Sequence, residues 1–296
     1  MASFQKELIG MEKEFHNNLE LNIENNKHTN MEIDLLLEAI YRLSGFDFRE
    51  YNRSSISRRI YNRMRVSNIP TITRLLEKVI HEEVFLEQVL NDFSINVTEM
   101  FRNPSFFKAF RKDVIPYLRD FPEIRIWHAG CATGEEVYSM AILLQEEGLL
   151  EKSVIYATDM NEHVLEKARQ GAFPIQKMQA YTKNYMLAGG VHAFSEYYNT
   201  DHQYAYFHPS LLKNIIFAQH NLVTDQSFNE FHVIMCRNVL IYFSPALQSQ
   251  VHMLFYDSLS QNGFLGLGDK ETLRCEGIIS KYKEIVGNER IYQKLY

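Results

Sequence analysis

Two adjacent carboxylates, Glu135 and Glu136, directly follow a turn of small residues, Ala129-Gly130-Cys131-Ala132-Thr133-Gly134. Paired acids in the first turn of a helix repel a phosphate and hold an amino group or another cation. The turn reads Gly130-x-x-x-Gly134 rather than G-x-G-x-x-G, which argues against a dinucleotide. A cationic adenosine ligand, S-adenosylmethionine, fits this chemistry better than NAD. Asp159, an acceptor-only carboxylate, suits the two hydroxyls of a ribose, or else caps the helix that follows it. Asn221 offers a donor and an acceptor together and could read an adenine edge. Arg237 lies in the run Cys236-Arg237-Asn238-Val239-Leu240-Ile241-Tyr242-Phe243. Once buried, it would need an anion, either structural or the substrate. Asn96, Thr98 and Arg102, two and four residues apart, could present polar groups on one side of their segment, or the first two could cap a helix.

These residues need a scaffold that brings distant segments to one edge, and the hydrophobic pattern from Ile124 onward supplies it. Strands are expected at 124–128, 154–158, 215–220, 233–237 and 263–268, with helices at 137–147, 162–170 and 245–260. Residues 283–286 and 290–295, joined by Gly287-Asn288-Glu289, read as a closing hairpin. Alternation of this kind predicts an α/β domain with a largely parallel sheet and helices on both faces. Seven strands ending in an antiparallel hairpin is the architecture of Rossmann-like S-adenosylmethionine-dependent methyltransferases. In such sheets the ligand lies beyond the carboxyl ends of the strands, where Glu135, Asp159, Asn221 and Arg237 all fall. Residues 171–213 break the rhythm and are rich in aromatics, among them Tyr181, Tyr185, Phe194, Tyr204 and Tyr206. A small antiparallel insertion is expected there, its rings forming either a minor core or a peptide-binding face.

Ahead of the sheet, residues 31–91 read as an all-helical domain and 92–122 as a linking, cofactor-contacting segment. From Tyr51 to Leu76 there is no acidic residue. Ile56, Ile60 and Met64 mark an inward helix face, and Arg53, Arg58, Arg59, Arg63 and Arg65 are spread mainly over the others. The cluster is either a solvated basic face or a docking surface for an acidic partner. Residues 1–30 are polar and read either as a loosely attached leader or as a short amphipathic helix, since Phe4, Leu8, Met11, Phe15 and Leu19 fall at helical spacing.

A formal net charge of −6 argues against broad nucleic-acid affinity. No apolar run has membrane-spanning length, and the N-terminus lacks the apolar core of a signal peptide, so a cytoplasmic protein is expected. Cys131, Cys236 and Cys275 have neither paired nor metal-ligating spacing, which fits a reduced compartment and no metal site.

Five segments in order resemble one family: Asn96-x-Thr98-x-x-x-Arg102, Gly130-Cys131-Ala132-Thr133-Gly134-Glu135-Glu136, Ala157-Thr158-Asp159, His220-Asn221-Leu222 and Cys236 to Phe243. The stretches Gly45-Phe46-Asp47-Phe48 and Arg58-Arg59-Ile60 add to the likeness. The family is CheR, the chemotaxis-receptor glutamate O-methyltransferases, and the resemblance covers residues 31–296. It implies methyl transfer from S-adenosylmethionine to receptor glutamates, leaving S-adenosylhomocysteine and a glutamyl methyl ester. By position, Asn96, Thr98, Arg102, Gly130, Glu135 or Glu136, Asp159, Asn221, Leu222, Arg237 and Asn238 would line the cofactor. Arg102 and Tyr242 would lie near the transferred methyl, with Arg102 or Arg237 fixing the acceptor carboxylate. The resemblance also implies a partner, the acidic helical cytoplasmic region of a chemoreceptor. Two other readings keep the same core: a non-catalytic S-adenosylmethionine-binding signalling adaptor, and a methyltransferase of another protein or a small molecule.

Overall fold

The computed structural model describes residues 27–94, 98–273 and 276–296. The leader before residue 27, together with Asn96 and Cys275, lies outside the described residues. The chain divides into two units, with the boundary between Ser94 and Ile95.

The first unit holds four helices: α1 (Lys27–Ser44), α2 (Arg53–Val66), α3 (Ile72–His81) and α4 (Glu83–Phe93). Residues 27–30, read as part of the leader, are the first turn of α1. Each helix buries one stripe, such as Ile33, Leu36, Leu37 and Ile40 on α1 and Ile56, Ile60 and Met64 on α2. Asn52 caps α2 by accepting from the backbone N–H groups of Ser54 and Ser55. The helical unit reaches past residue 91 because Phe93 packs edge-on against Phe48, with centroids 5.1 Å apart.

The second unit opens with α5 (Pro104–Asp113) and α6 (Ile115–Leu118), whose Phe106, Phe107, Phe110 and Leu118 join the core of the sheet domain. Its main sheet contains β1 (Ile124–Ala129), β2 (Ser153–Asp159), β6 (Ile215–Gln219), β7 (Phe231–Cys236), β8 (Leu259–Leu267), β9 (Tyr282–Val286) and β10 (Ile291–Lys294). The order across the sheet is β6-β2-β1-β7-β8-β10-β9. The first five strands run parallel, and β10 is antiparallel to both β8 and β9. The chain winds outward from β1 to β2 and β6, then returns to β7 on the other side of β1. The switch point therefore lies at the carboxyl ends of β1, β2 and β7, where a ligand crevice belongs.

Three helices cross between strands: α7 (Glu135–Glu146), α8 (Glu162–Gln170) and α10 (Pro245–Ser258). Helix α7 is buried on nearly every side from Val137 to Leu144, so the sheet alone cannot cover it. The insertion supplies the second cover. It consists of β3 (Ala172–Pro174), α9 (Met178–Leu187), β4 (Tyr198–Thr200) and β5 (Tyr204–Phe207), with an antiparallel β3-β5-β4 sheet. Tyr138 of α7 packs edge-on against Phe173 of β3, at 5.3 Å between centroids. Tyr181, Tyr185, Phe194, Tyr197 and Phe207 are buried, so most of the insertion's aromatics form its core, while Tyr204 and Tyr206 point outward.

Trp127, the single tryptophan, is wholly buried on β1, ringed by Phe228, Phe231 and Phe255. Its indole N–H donates to Thr158 Oγ1 at 2.8 Å, which ties β1 to the end of β2. No described helix is long and apolar enough to cross a membrane.

Candidate active site

The turn after β1 is built on residues that accept left-handed backbone. Gly130 has φ +78°, Ala132 +49° and Gly134 +91°. A Cβ on Gly130 would lie 2.6 Å from Val239 Cγ2, so this glycine lets the loops after β1 and β7 touch. The Gly130 and Cys131 N–H groups both donate to the Thr158 carbonyl, at 2.8 and 2.9 Å.

Asp159 completes the crossing from β1 to β2. Its Oδ2 accepts from the Ala132 N–H at 2.9 Å and its Oδ1 from the Asn161 N–H at 3.0 Å. The cap of α8 is Asn161, whose side chain accepts from the His163 N–H, so Asp159 is not the capping residue. Burial raises the Asp159 carboxyl above its usual range, opposed by N–H donors of Asn161, Ala132 and Met160. A carboxylate has about four lone-pair sites, so three amide donors leave room for a hydroxyl as well.

The two glutamates diverge. Glu135 is buried; its Oε2 accepts from Thr133 Oγ1 at 2.6 Å and its Oε1 from Tyr181 OH at 3.3 Å, with Lys177 Nζ at 3.7 Å. Desolvation raises its pKa against these partners. Glu136 turns toward β7. Its Oε2 accepts from Arg237 Nη1 at 2.8 Å, and its Oε1 lies 3.1 Å from His128 Nδ1. Burial opposes ionisation of Glu136, but Arg237 and His128 outweigh it and hold the carboxyl below its ordinary value.

Arg237 has its anion, and that anion belongs to the protein. Its side chain is 1% exposed. Beyond Glu136, its Nη2 donates to Asn103 Oδ1 at 2.9 Å and to the Arg102 carbonyl at 3.2 Å. The guanidinium lies 4.1 Å over the Phe106 ring. These contacts tie the segment that carries Arg102 to α7 and β7. Phe101 and Asn103, on either side of Arg102, both have left-handed backbone, at φ +49° and +55°. The Phe101 N–H donates to Ser139 Oγ at 2.8 Å and the Asn184 side chain donates to the Met100 carbonyl, so this short stretch is held from α7 and from the insertion. Arg102 is half-buried at its centre, and Thr98 is half-buried near its start.

Asn221 follows β6 next to Asp159, whose carbonyl accepts from the His220 N–H at 3.1 Å. The Asn221 Oδ1 accepts from the Val223 N–H at 3.0 Å, which leaves its amide N–H₂ as the side for a ring nitrogen. Leu222 is buried beside it. Asn238, with φ +63°, and Tyr242, in a 3₁₀ turn over Leu240–Tyr242, lie on the loop after β7. The structure thus gathers Gly130, both glutamates, Asp159, Asn221, Asn238 and the Arg102 backbone along one edge of the sheet. Cys131 and Cys236 are buried there with thiol pKa values pushed well up, and among the described residues no His, Cys, Asp and Glu group is arranged for a metal.

Sequence reasoning missed His128, Asn103 and Glu271. Glu271 is 4% exposed, and its carboxylate accepts from the N–H groups of Gly268 (2.7 Å), Asn238 (2.8 Å) and Ile241 (3.3 Å). Burial raises its pKa while these amides oppose the rise. The available signal was its place just past the carboxyl end of β8.

The arginines of α2 belong to the helical unit and are less exposed than their run suggests. Arg53 pairs with Asp34 at 2.6 Å, Arg63 pairs with Asp92, and Arg59 donates to the Asp92 carbonyl at 2.7 Å. Acids on α1 and α4 thus reach part of the cluster. Arg58 and Arg65 remain exposed.

The carboxylates of Glu135, Glu136 and Asp159 at this edge of the sheet suit a cationic ligand, and the comparisons agree. The CheR methyltransferase SAM-binding domain matches residues 96–286, and the CheR all-alpha domain matches residues 31–94. Cher3 of Pseudomonas putida is 47% identical over 268 residues, spanning 90% of this chain and 98% of that protein. A chemotaxis protein methyltransferase of Listeria monocytogenes is 29% identical, over 79% of this chain and 87% of the relative. That of Salmonella typhimurium is 27% identical, over 80% and 82%. On the fold and these matches together, the chain belongs to the CheR family of S-adenosylmethionine-dependent methyltransferases.

Proposed function

We propose that this protein methylates glutamate side chains on the acidic cytoplasmic helices of a chemoreceptor, acting in the cytoplasm in sensory adaptation. The support is the family membership across both domains together with relatives named as chemotaxis methyltransferases. S-adenosylmethionine supplies a methyl on a sulfonium: an O–CH₃ bond forms as the S–CH₃ bond breaks, leaving S-adenosylhomocysteine and a glutamyl methyl ester. A glutamate is already ionised at pH 7, so the chain needs no general base. Its task is alignment and exclusion of water, effects worth up to ~7–11 kcal/mol in well-oriented cases.

In this reading Asp159 takes the ribose, Asn221 and Leu222 the adenine, and Glu135 or Glu136 the cationic end, with Asn96, Thr98, Gly130 and Asn238 completing the lining. Because both terminal nitrogens of Arg237 are engaged, Nη1 with Glu136 and Nη2 with Asn103 and the Arg102 carbonyl, the acceptor carboxylate falls to Arg102, with Tyr242 orienting it. The exposed Arg58 and Arg65 form the docking face, while Arg53, Arg59 and Arg63 stiffen the helix that carries them.

The test is transfer of labelled methyl from S-adenosylmethionine to receptor cytoplasmic fragments, with the product then exposed to mild base. Base-labile label on glutamate is expected. A base-stable product would favour another acceptor class, and cofactor binding with no transfer to any acidic helical protein would favour an adaptor.

A further inference from the structure

Beyond β7 and β8 the chain leaves the sheet as two loops, one starting at Arg237 and the other at Gly268. These strands are in register, with Cys236 opposite Leu267, so the loops emerge side by side. The first carries Asn238 and Tyr242. A single buried carboxylate joins the two: Glu271 Oε2 takes the N–H of Asn238 at 2.8 Å and of Gly268 at 2.7 Å, and Oε1 takes that of Ile241 at 3.3 Å. Nothing larger than glycine fits at position 268, because a Cβ would lie 2.7 Å from Glu271 Oε2 and 2.8 Å from the Asn238 nitrogen. Among the described residues no lysine or arginine pairs with Glu271.

An ionisable group placed at 4% exposure, with amides and no cation as its partners among the described residues, is a costly way to fill space, and an apolar side chain would serve stability better. A carboxylate does have four lone-pair sites, which can gather several amides that a neutral side chain could not. Asn238 sits at φ +63°, a left-handed conformation uncommon outside glycine that Asn tolerates, and Glu271 accepts its N–H there. We infer that Glu271 is a positioning residue for methyl transfer, fixing the loop that presents Asn238 and Tyr242 to the reacting groups. The inference rests on the methyl-transfer reading above.

Glu271→Gln keeps the size of the side chain but replaces one acceptor oxygen with a donor. In the full chain its kcat should fall about tenfold or more, since misplacement of a supporting group costs alignment. Val251→Ala, on the buried face of α10 and outside both loops in the chain, serves as a control that lowers the melting temperature; its kcat should stay within about twofold. Hydrogen exchange provides a readout independent of activity: the Asn238, Ile241 and Gly268 amides should lose protection in Glu271→Gln, while Val233 and Met235 inside β7 keep theirs. The inference is overturned if Glu271→Gln keeps the wild-type kcat, if Val251→Ala loses as much, or if those three amides stay protected. A wild-type protein that transfers no methyl would instead overturn the proposed function, and the exchange measurement would still decide whether Glu271 clamps the loops.

Discussion

The Arg237–Glu136 contact is a buried ion pair, and such pairs are felt most when one member is removed. Glu136→Gln leaves a guanidinium at 1% exposure with only neutral acceptors, at a cost of about 3–5 kcal/mol. A large drop in the melting temperature of the sheet domain is expected, and calorimetry checks it. Arg102→Ala should behave differently, because that side chain is assigned to the acceptor and not to the core. Its kcat should fall by ~10²-fold or more with affinity for S-adenosylhomocysteine little changed, the pattern of an interaction made mainly in the transition state. Methylation at the wild-type rate would remove Arg102 from the chemistry. These two arginines could not be told apart in the sequence. Arg237 and Glu136 are 101 residues apart, and their meeting depends on β1 and β7 being neighbours in the sheet.

At the scale of elements, the turn after β1 makes the sharpest prediction. Gly130→Ala both strains a left-handed residue and drives a methyl into Val239, so cofactor affinity should fall about tenfold or more. Adding Val239→Ala should recover part of the loss by relieving the contact but not the strain, as a titration of the double variant would read. On α2, Arg58→Glu together with Arg65→Glu should raise KM for an acidic receptor fragment with no change in cofactor binding, and most strongly at low salt. An unchanged KM would dismiss the docking face. Elements of this kind were largely legible: the strands and helices follow from apolar periodicity, with α8 at Glu162–Gln170 as expected. The division of the α2 arginines was not, because the acids that pair with them come from α1 and α4, 19 and 29 residues away. Glu271 escaped for a similar reason: its partners are backbone amides, which carry no residue-type signal at all.

Across the whole molecule, stability should depend on pH through a buried histidine outside the proposed site. His252 on α10 is wholly buried, and burial lowers its pKa to about 4 against the opposing pull of the Thr272 backbone. The folded state therefore keeps the ring neutral while the unfolded chain, near 6.5, takes up the proton. Stability should fall as pH drops from about 6.5 toward 4, by up to roughly 3 kcal/mol. A His252→Phe variant should lose that part of the slope in denaturant titrations across this window. The position of Trp127 suggests how such titrations can be read. As the lone indole, sealed inside the sheet domain and bonded to Thr158, it is a built-in optical probe of that domain alone. Its emission is silent about the four helices before Ser94, which circular dichroism sees well. Denaturation followed by both signals would give coincident curves if the two halves melt as one, and separated curves if the helical half comes apart independently.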